Sequence, residues 1–201
     1  MTQNLLKKWI SDNRGASAVE FAIVVIPMLM LIMGMLDLGH TAYLRALLQG
    51  SVDKAARDSA LQATPSQLAA ADASVVSQVQ NAINVPASAF TFTRTNFTSF
   101  TYVGGEPFTD TNNNGVCDPG ELYSDTNGNG HYDASLGQTG QGSANAIVLY
   151  QASVTYTHIF PVYGLVGMSP VQTLKAQTVL RNQPYAASNN YTYVAPIVRS
   201  C

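Results

Sequence analysis

Between Asp110 and Glu121, side chains that carry oxygen recur at fixed intervals. Asp110, Asn112, Asn114, Asp118 and Glu121 stand at positions one, three, five, nine and twelve, with Gly115 at six. This is the ligand spacing of an EF-hand loop. A calcium ion takes six to eight oxygens at about 2.3–2.6 Å, and the glycine permits the sharp wrap between ligands. Val116 would add its backbone carbonyl. Fifteen residues later the pattern returns with Asp125, Asn127, Asn129, Gly130, His131 (through its carbonyl) and Asp133. Position twelve is now Leu136, so the bidentate carboxylate is missing. The second site is therefore expected either to be weaker or to share Glu121 with the first. Pro119 and Gly120 fall where an exit helix would begin, so calcium-wrapped loops without a helix pair are expected, and no calmodulin-like opening.

The charge pattern bears on the same segment. Glu106, Asp110, Asp118, Glu121, Asp125 and Asp133 are half of the chain's twelve acidic residues, and no Lys or Arg lies among them. Such a cluster repels itself unless something cationic neutralises it. A string of Asx turns would need no metal. Two tandem copies with their acids in place favour Ca²⁺.

Elsewhere the chemistry is sparse. His40, His131 and His158 belong to no pattern, and Gly137–Gly142 lacks the Lys-Ser/Thr of a phosphate loop. No nucleophile–base spacing appears, so an enzyme is not expected. The formal net charge of −2 gives no basic field for nucleic acid. Cys117 and Cys201 form no CxxC pair. In an exported chain they could join as one disulfide, worth about 4–5 kcal/mol on the chain-entropy model. Otherwise they are two separate thiols.

The elements that must position the acidic segment begin with a greasy N-terminus. Residues 1–15 are polar and carry Lys7, Lys8 and Arg14 against Asp12. An apolar run, Phe21–Leu36, follows without a charge before Asp37. With Ala16–Val19 and Glu20 it makes about 21 residues, roughly 30 Å of helix and the thickness of a bilayer core. Basic residues ahead of the span keep the N-terminus in the cytoplasm and export the rest. A secretory signal peptide would need a small-residue cut site after the run, and none follows. A plain anchor fits except for Glu20, because a carboxylate in lipid is costly.

The order Gly15-Ala-Ser-Ala-Val-Glu20-Phe21 resembles the prepilin peptidase site of type IV pilin-like precursors. The resemblance implies a cut after Gly15 that frees the α-amino group of Ala16. Glu20, one turn on, could pair with a neighbouring subunit's amine and so set the stagger between subunits. Arg14 through Ala22, then Pro27, then Ala55-Ala56-Arg57, is similar to the TadE-like family of tight-adherence pilus assembly proteins. Thr178–Tyr185 carries a weaker likeness. The family implies a bacterial inner-membrane protein, single pass, with a periplasmic C-terminal domain. Its partners would be other pilins, tight-adherence assembly proteins and the prepilin peptidase.

Past the span, the helix is expected to continue to about Leu61. Leu36, Tyr43, Leu44, Leu47, Leu48, Val52, Ala55 and Ala56 form its core stripe, with Asp37, Arg45, Asp53 and Arg57 off it. A second helix is expected over Ser66–Asn84. Strands are expected at Phe90–Thr93, at Ala146–Thr157 with Val148, Tyr150, Ala152, Val154 and Tyr156 on one face, and at Val171–Leu180 with Leu174, Ala176 and Leu180 inward. The apolar link Ile159–Met168 could be core, or touch membrane or a neighbouring subunit. Residues 185–201 read as an extended tail. The fold class is α+β and pilin-like: a leader (1–15), a long membrane helix (16–61), and an exported domain (62–201) with a second helix, a small antiparallel sheet and a calcium-loop insert over 106–136. The function expected is that of a processed minor pilin-like structural protein. The alternative is an unprocessed, membrane-tethered, calcium-dependent adhesin or scaffold, and a released soluble calcium protein ranks last.

Overall fold

Helix α1, Ala16–Leu61, runs unbroken for 46 residues, about 69 Å at 1.5 Å per residue. The computed structural model describes residues 16–61, 64–160, 162–165, 167–183 and 195–201. The leader, Gly15 included, lies outside them. Two compact units emerge, and the boundary falls inside α1, after Tyr43.

The first unit holds residues 16–43 and 157–172. Its part of α1 is the one described helix apolar and long enough to cross a membrane, with a mean hydropathy of 2.5 over an 18-residue window. Phe21, Ile23, Val24, Leu31 and Met35 all face outward. Pro27 lies within this run without ending the helix, as membrane helices tolerate. Asp37 departs from expectation. It is fully buried, because His158 Nδ1 comes to 2.5 Å from its Oδ2 and the His158 ring stacks on Tyr163 at 3.9 Å. A buried carboxylate needs such a partner. Among the described residues, the link between Thr157 and Val171 contains one short helix, α3 (Val162–Leu165). Its Ile159, Leu165 and Met168 stay exposed, so these residues are not core.

The second unit holds Leu44–Tyr156 and Thr173–Cys201. Here α1 buries Leu44, Leu48, Val52, Ala55 and Ala56, the three-to-four spacing of one helical face. Leu36 and Tyr43, expected on this stripe, are instead more than half exposed; both belong to the other unit. Helix α2, Pro65–Gln80, starts with proline at its first turn behind Thr64, whose N–H donates to Gln67 Oε1 at 3.3 Å. It buries Ala71, Val75 and Val79, one residue per turn.

Six strands follow among the described residues: β1 (Phe90–Phe97), β2 (Leu122–Asp125), β3 (Gln138–Thr139), β4 (Ile147–Thr157), β5 (Val171–Arg181) and β6 (Ile197–Ser200). The main sheet has the order β3-β1-β4-β5. Strand β1 pairs antiparallel with β4 from Phe90↔Val154 to Phe97↔Ile147. Cross-strand contacts of Gln151 with Gln177 and Thr155 with Thr173 run β5 antiparallel to β4. Val148, Tyr150, Ala152, Val154 and Tyr156 are all buried, as strand alternation predicts. Together with Leu174 and Ala176 they line the sheet's inner face, with Leu180 packed at its margin. Asn182, just past β5, donates to the carbonyls of Gln141 and Ser143 at 2.7 and 2.9 Å, clasping the glycine-rich stretch.

One polar cluster fastens α2 to the sheet. Arg94 donates from two nitrogens to both oxygens of Asp72, at 2.6 and 2.9 Å. The Tyr150 hydroxyl donates to Asp72 at 2.6 Å, and the guanidinium lies 4.3 Å from the Tyr150 ring centre. Burial, then the bond to Asp72, pushes the Tyr150 phenol far above its ordinary value. Removing Asp72 leaves a part-buried guanidinium and phenol without their acceptor. Asp72→Ala is therefore expected to cost about 3 kcal/mol or more. Surface Asp58→Ala should cost less than about 0.5 kcal/mol. Denaturant melts of the detergent-solubilised chain compare the two, and equal midpoints would refute the fastening role.

Candidate metal centre

The acidic insert lies between β1 and β4 and repeats itself in conformation as well as in sequence. Gly115 and Gly130, at position six of each loop, have φ of +77° and +79°. These are left-handed values that glycine adopts freely. Asn113 and Gly128, the matching positions before them, also have positive φ, at +59° and +75°. Each loop wraps the same way because each places permissive residues at the same bends.

The side chains follow the same plan. In the first loop Asp110 accepts from the N–H groups of Asn114 and Gly115, at 3.1 and 2.8 Å. Asn112 and Asn114 both donate their amides to Asp118 Oδ2, at 2.8 and 2.7 Å. In the second, Asp125 accepts from Gly128 and Gly130, at 2.7 and 2.9 Å. Asn127 and Asn129 both donate to Asp133 Oδ2, each at 2.7 Å. Val116 and His131 donate their N–H groups to Asn114 and Asn129, both at 2.8 Å.

The closing carboxylates are where spacing misled. Glu121 accepts from Thr111 N at 2.8 Å and Asp118 N at 3.1 Å, closing the first loop as position twelve should. In the second loop neither Leu136 nor Glu121 does this. Glu106 accepts from Thr126 N at 2.7 Å and Asp133 N at 3.1 Å, the same two positions of the repeat. The signal was present in the sequence, since Gly105-Glu106-Pro-Phe108-Thr-Asp110 and Gly120-Glu121-Leu-Tyr123-Ser-Asp125 align fifteen residues apart. An EF-hand template does not include it, because that template places its last position downstream.

A short antiparallel ladder relates the two halves. Phe108 bridges Tyr123, flanked by Thr109 N to Leu122 O and Ser124 N to Pro107 O, both 2.8 Å. Tyr132 packs edge-on against Phe108 and Tyr123, at 5.3 and 5.7 Å between ring centres. On the other side of β2 lies β6, paired antiparallel from Leu122↔Ser200 to Asp125↔Ile197. The end of the expected tail is thus a strand; the residues of that tail before 195 lie outside those described. Two contacts hold β6 besides the ladder. Arg199 Nε donates to Asp125 Oδ2 at 2.7 Å, and Cys201 stands beside Cys117 with Cα atoms 5.8 Å apart, within disulfide range.

Arg199 is a cation that the local sequence did not disclose. It reaches the second loop only through strand pairing. Burial opposes the charge on Asp125, but the Gly130 N–H, Arg199 and the Gly128 N–H outweigh it and hold the carboxyl below its ordinary range. The Asn112 and Asn114 amides lower Asp118 in the same way. Among the described residues no three His, Cys, Asp or Glu side chains converge as a preformed metal cluster. The donor set is nonetheless hard oxygen throughout. Turning the two asparagine amides of a loop would point carbonyl oxygens where N–H groups now face the aspartate. Those donors fit Ca²⁺.

Toward the N-terminal end of α1, Glu20 is exposed one turn past Ala16. The family model for TadE-like proteins matches residues 15–57, the segment that carries the motif resemblance. The match takes in the apolar part of α1, which is long and apolar enough to cross a membrane. No curated protein and no solved structure matches the chain.

The depressed carboxyls imply a pH dependence with a definite sign. A carboxyl lowered in the folded state contributes stability above its unfolded value, 3.8 for aspartate, and loses it as pH falls through the lowered folded value. In EDTA, near-UV signal from Tyr123 and Tyr132 is expected to hold from pH 7 to about 5 and to decay below about 4. Decay beginning near pH 6 would contradict this account.

Proposed function

Because residues 15–57 are TadE-like, we propose that the chain is a processed minor pilin-like subunit of a tight-adherence pilus. The leader is removed after Gly15 by prepilin peptidase, and the apolar half of α1 sits first in the inner membrane and then among other pilins. The second unit is its periplasmic head, stiffened by Ca²⁺ in the acidic insert and by a Cys117–Cys201 disulfide.

One coincidence carries the reading. The family match begins at Gly15, where the polar leader ends, and Glu20 follows as the one ionisable group before Asp37. A carboxylate in lipid costs at least about 2.5 kcal/mol by insertion scales. A free amine at Ala16 on an adjacent subunit would offset it and fix the axial stagger, whereas an uncut leader would place an amide there. Calcium is supported by the oxygen-only donors and the repeated loop conformation.

The mature protein extracted from membranes is expected to begin at Ala16 by intact mass, and Gly15→Val to retain Met1 and abolish piliation. Recovery of wild type with Met1 would instead favour the tethered adhesin or scaffold. For the metal, a site of extracellular strength, with Kd about 10⁻⁴–10⁻³ M, gains roughly 1.4–2.7 kcal/mol at 10 mM Ca²⁺. The melting temperature of the head should then rise by several degrees over an EDTA control. An unchanged melting temperature would remove calcium from the proposal without touching the processing claim.

A further inference from the structure

The two loops are closed reciprocally. Each repeat begins with a glutamate, and each glutamate serves the loop of the other: Glu106 the second, Glu121 the first. Glu106 is only 1% exposed. Its bonds come from two backbone N–H groups and the Thr126 hydroxyl, all neutral donors. Gly105 makes the crossing possible. Its φ is +88°, and a Cβ there would stand 2.5 Å from the carbonyl oxygen of Ala134, so only glycine lets the chain lie against the end of the second loop.

A separate observation points to a ligand at this place. The Tyr123 hydroxyl is buried without a hydrogen-bond partner among the described residues, on a residue 2% exposed. Tyr123 and Asp125 alternate onto the same buried face of β2. The hydroxyl is thus carried by a ring on the Asp125 face of β2 that packs edge-on against Tyr132 of the second loop, where a metal-bound water or the ion itself would satisfy it. Charge gives the valence. Glu106, Asp125 and Asp133 carry three negative charges, and Arg199 returns one. What is left matches a divalent cation.

We propose that the insert holds two divalent cations, with Glu106 supplying the second loop with the closing carboxylate that Leu136 cannot. The proposal rests on the calcium reading above and adds the second site, its ligand and its rank. Arg199, paired with Asp125 and 42% exposed in its side chain, acts as a resident counter-charge. It makes the second site the weaker of the two, since affinity follows the charge of the ligand set.

Calcium titration calorimetry of the metal-stripped full chain in detergent, followed by native mass spectrometry, reads the count. Wild type is expected to take two Ca²⁺, and Glu106→Gln and Glu121→Gln one each. Arg199→Gln should keep two and tighten the weaker site by about threefold or more. One ion in wild type, or two in Glu106→Gln, overturns the second site while leaving calcium in the first. No binding at all overturns both. If Glu106→Gln loses its near-UV signal, Arg199→Gln decides: tightening upholds the proposal, and an unchanged or weaker second site overturns it.

Discussion

Between Val19 and Leu38, helix α1 turns large apolar side chains outward, each 45–70% exposed, and the remainder of the molecule is organised around where they can go. Covering a dozen such groups is worth on the order of 10–20 kcal/mol, more than the whole stability of an ordinary domain. Only a bilayer or a bundle of like helices supplies a surface of that length. The same helix changes partner at Leu44, where its apolar face narrows to a stripe and meets sheet and α2. One helix thus presents two kinds of apolar face along its length. The buried Asp37, paired with His158, stands just past the apolar run, in the unit that contains it.

The head is built from ordinary means, with polar specificity added at two points. The inner face of β4 and the stripe of α1 bury aliphatic and aromatic side chains in alternation. The Asp72–Arg94–Tyr150 cluster fixes how α2 lies on that face. A bidentate carboxylate–guanidinium pair tolerates little rotation, so it selects one helix register where Ala71, Val75 and Val79 alone would permit neighbours. The insert has no comparable apolar core. Phe108, Tyr123 and Tyr132 are its whole aromatic centre, and its shape comes from carboxylates receiving backbone N–H groups.

Much of this was legible in the residues. The core stripe of α1 past Leu44, the inner face of β4 and the extent of β5 follow from period and punctuation, because tertiary packing there agrees with local preference. Helix α2 ends at Gln80, short of the expected Asn84, as the chain turns toward Pro86. Strands β2, β3 and β6 were not legible. Two to four residues with mixed polarity carry no period, and β6 exists because β2 offers it an edge. Asp37 was misread for a similar reason: helical phase placed it off the core stripe, and its partner comes from more than a hundred residues away. At the insert the acids, amides and glycines were plain, while the bonds of Glu106 and Arg199 were hidden by sequence distance. Spacing finds partners within a loop; it does not find those exchanged between loops.

That exchange has an arithmetic consequence. A repeat whose first residue completes another's loop can be fully satisfied only in couples, with Phe108 and Tyr123 at the axis of the pair. Duplicating the fifteen-residue unit once more would strand one glutamate and leave one loop open, whereas duplicating it twice would restore closure. Parity, and not length alone, therefore governs how such an insert could grow.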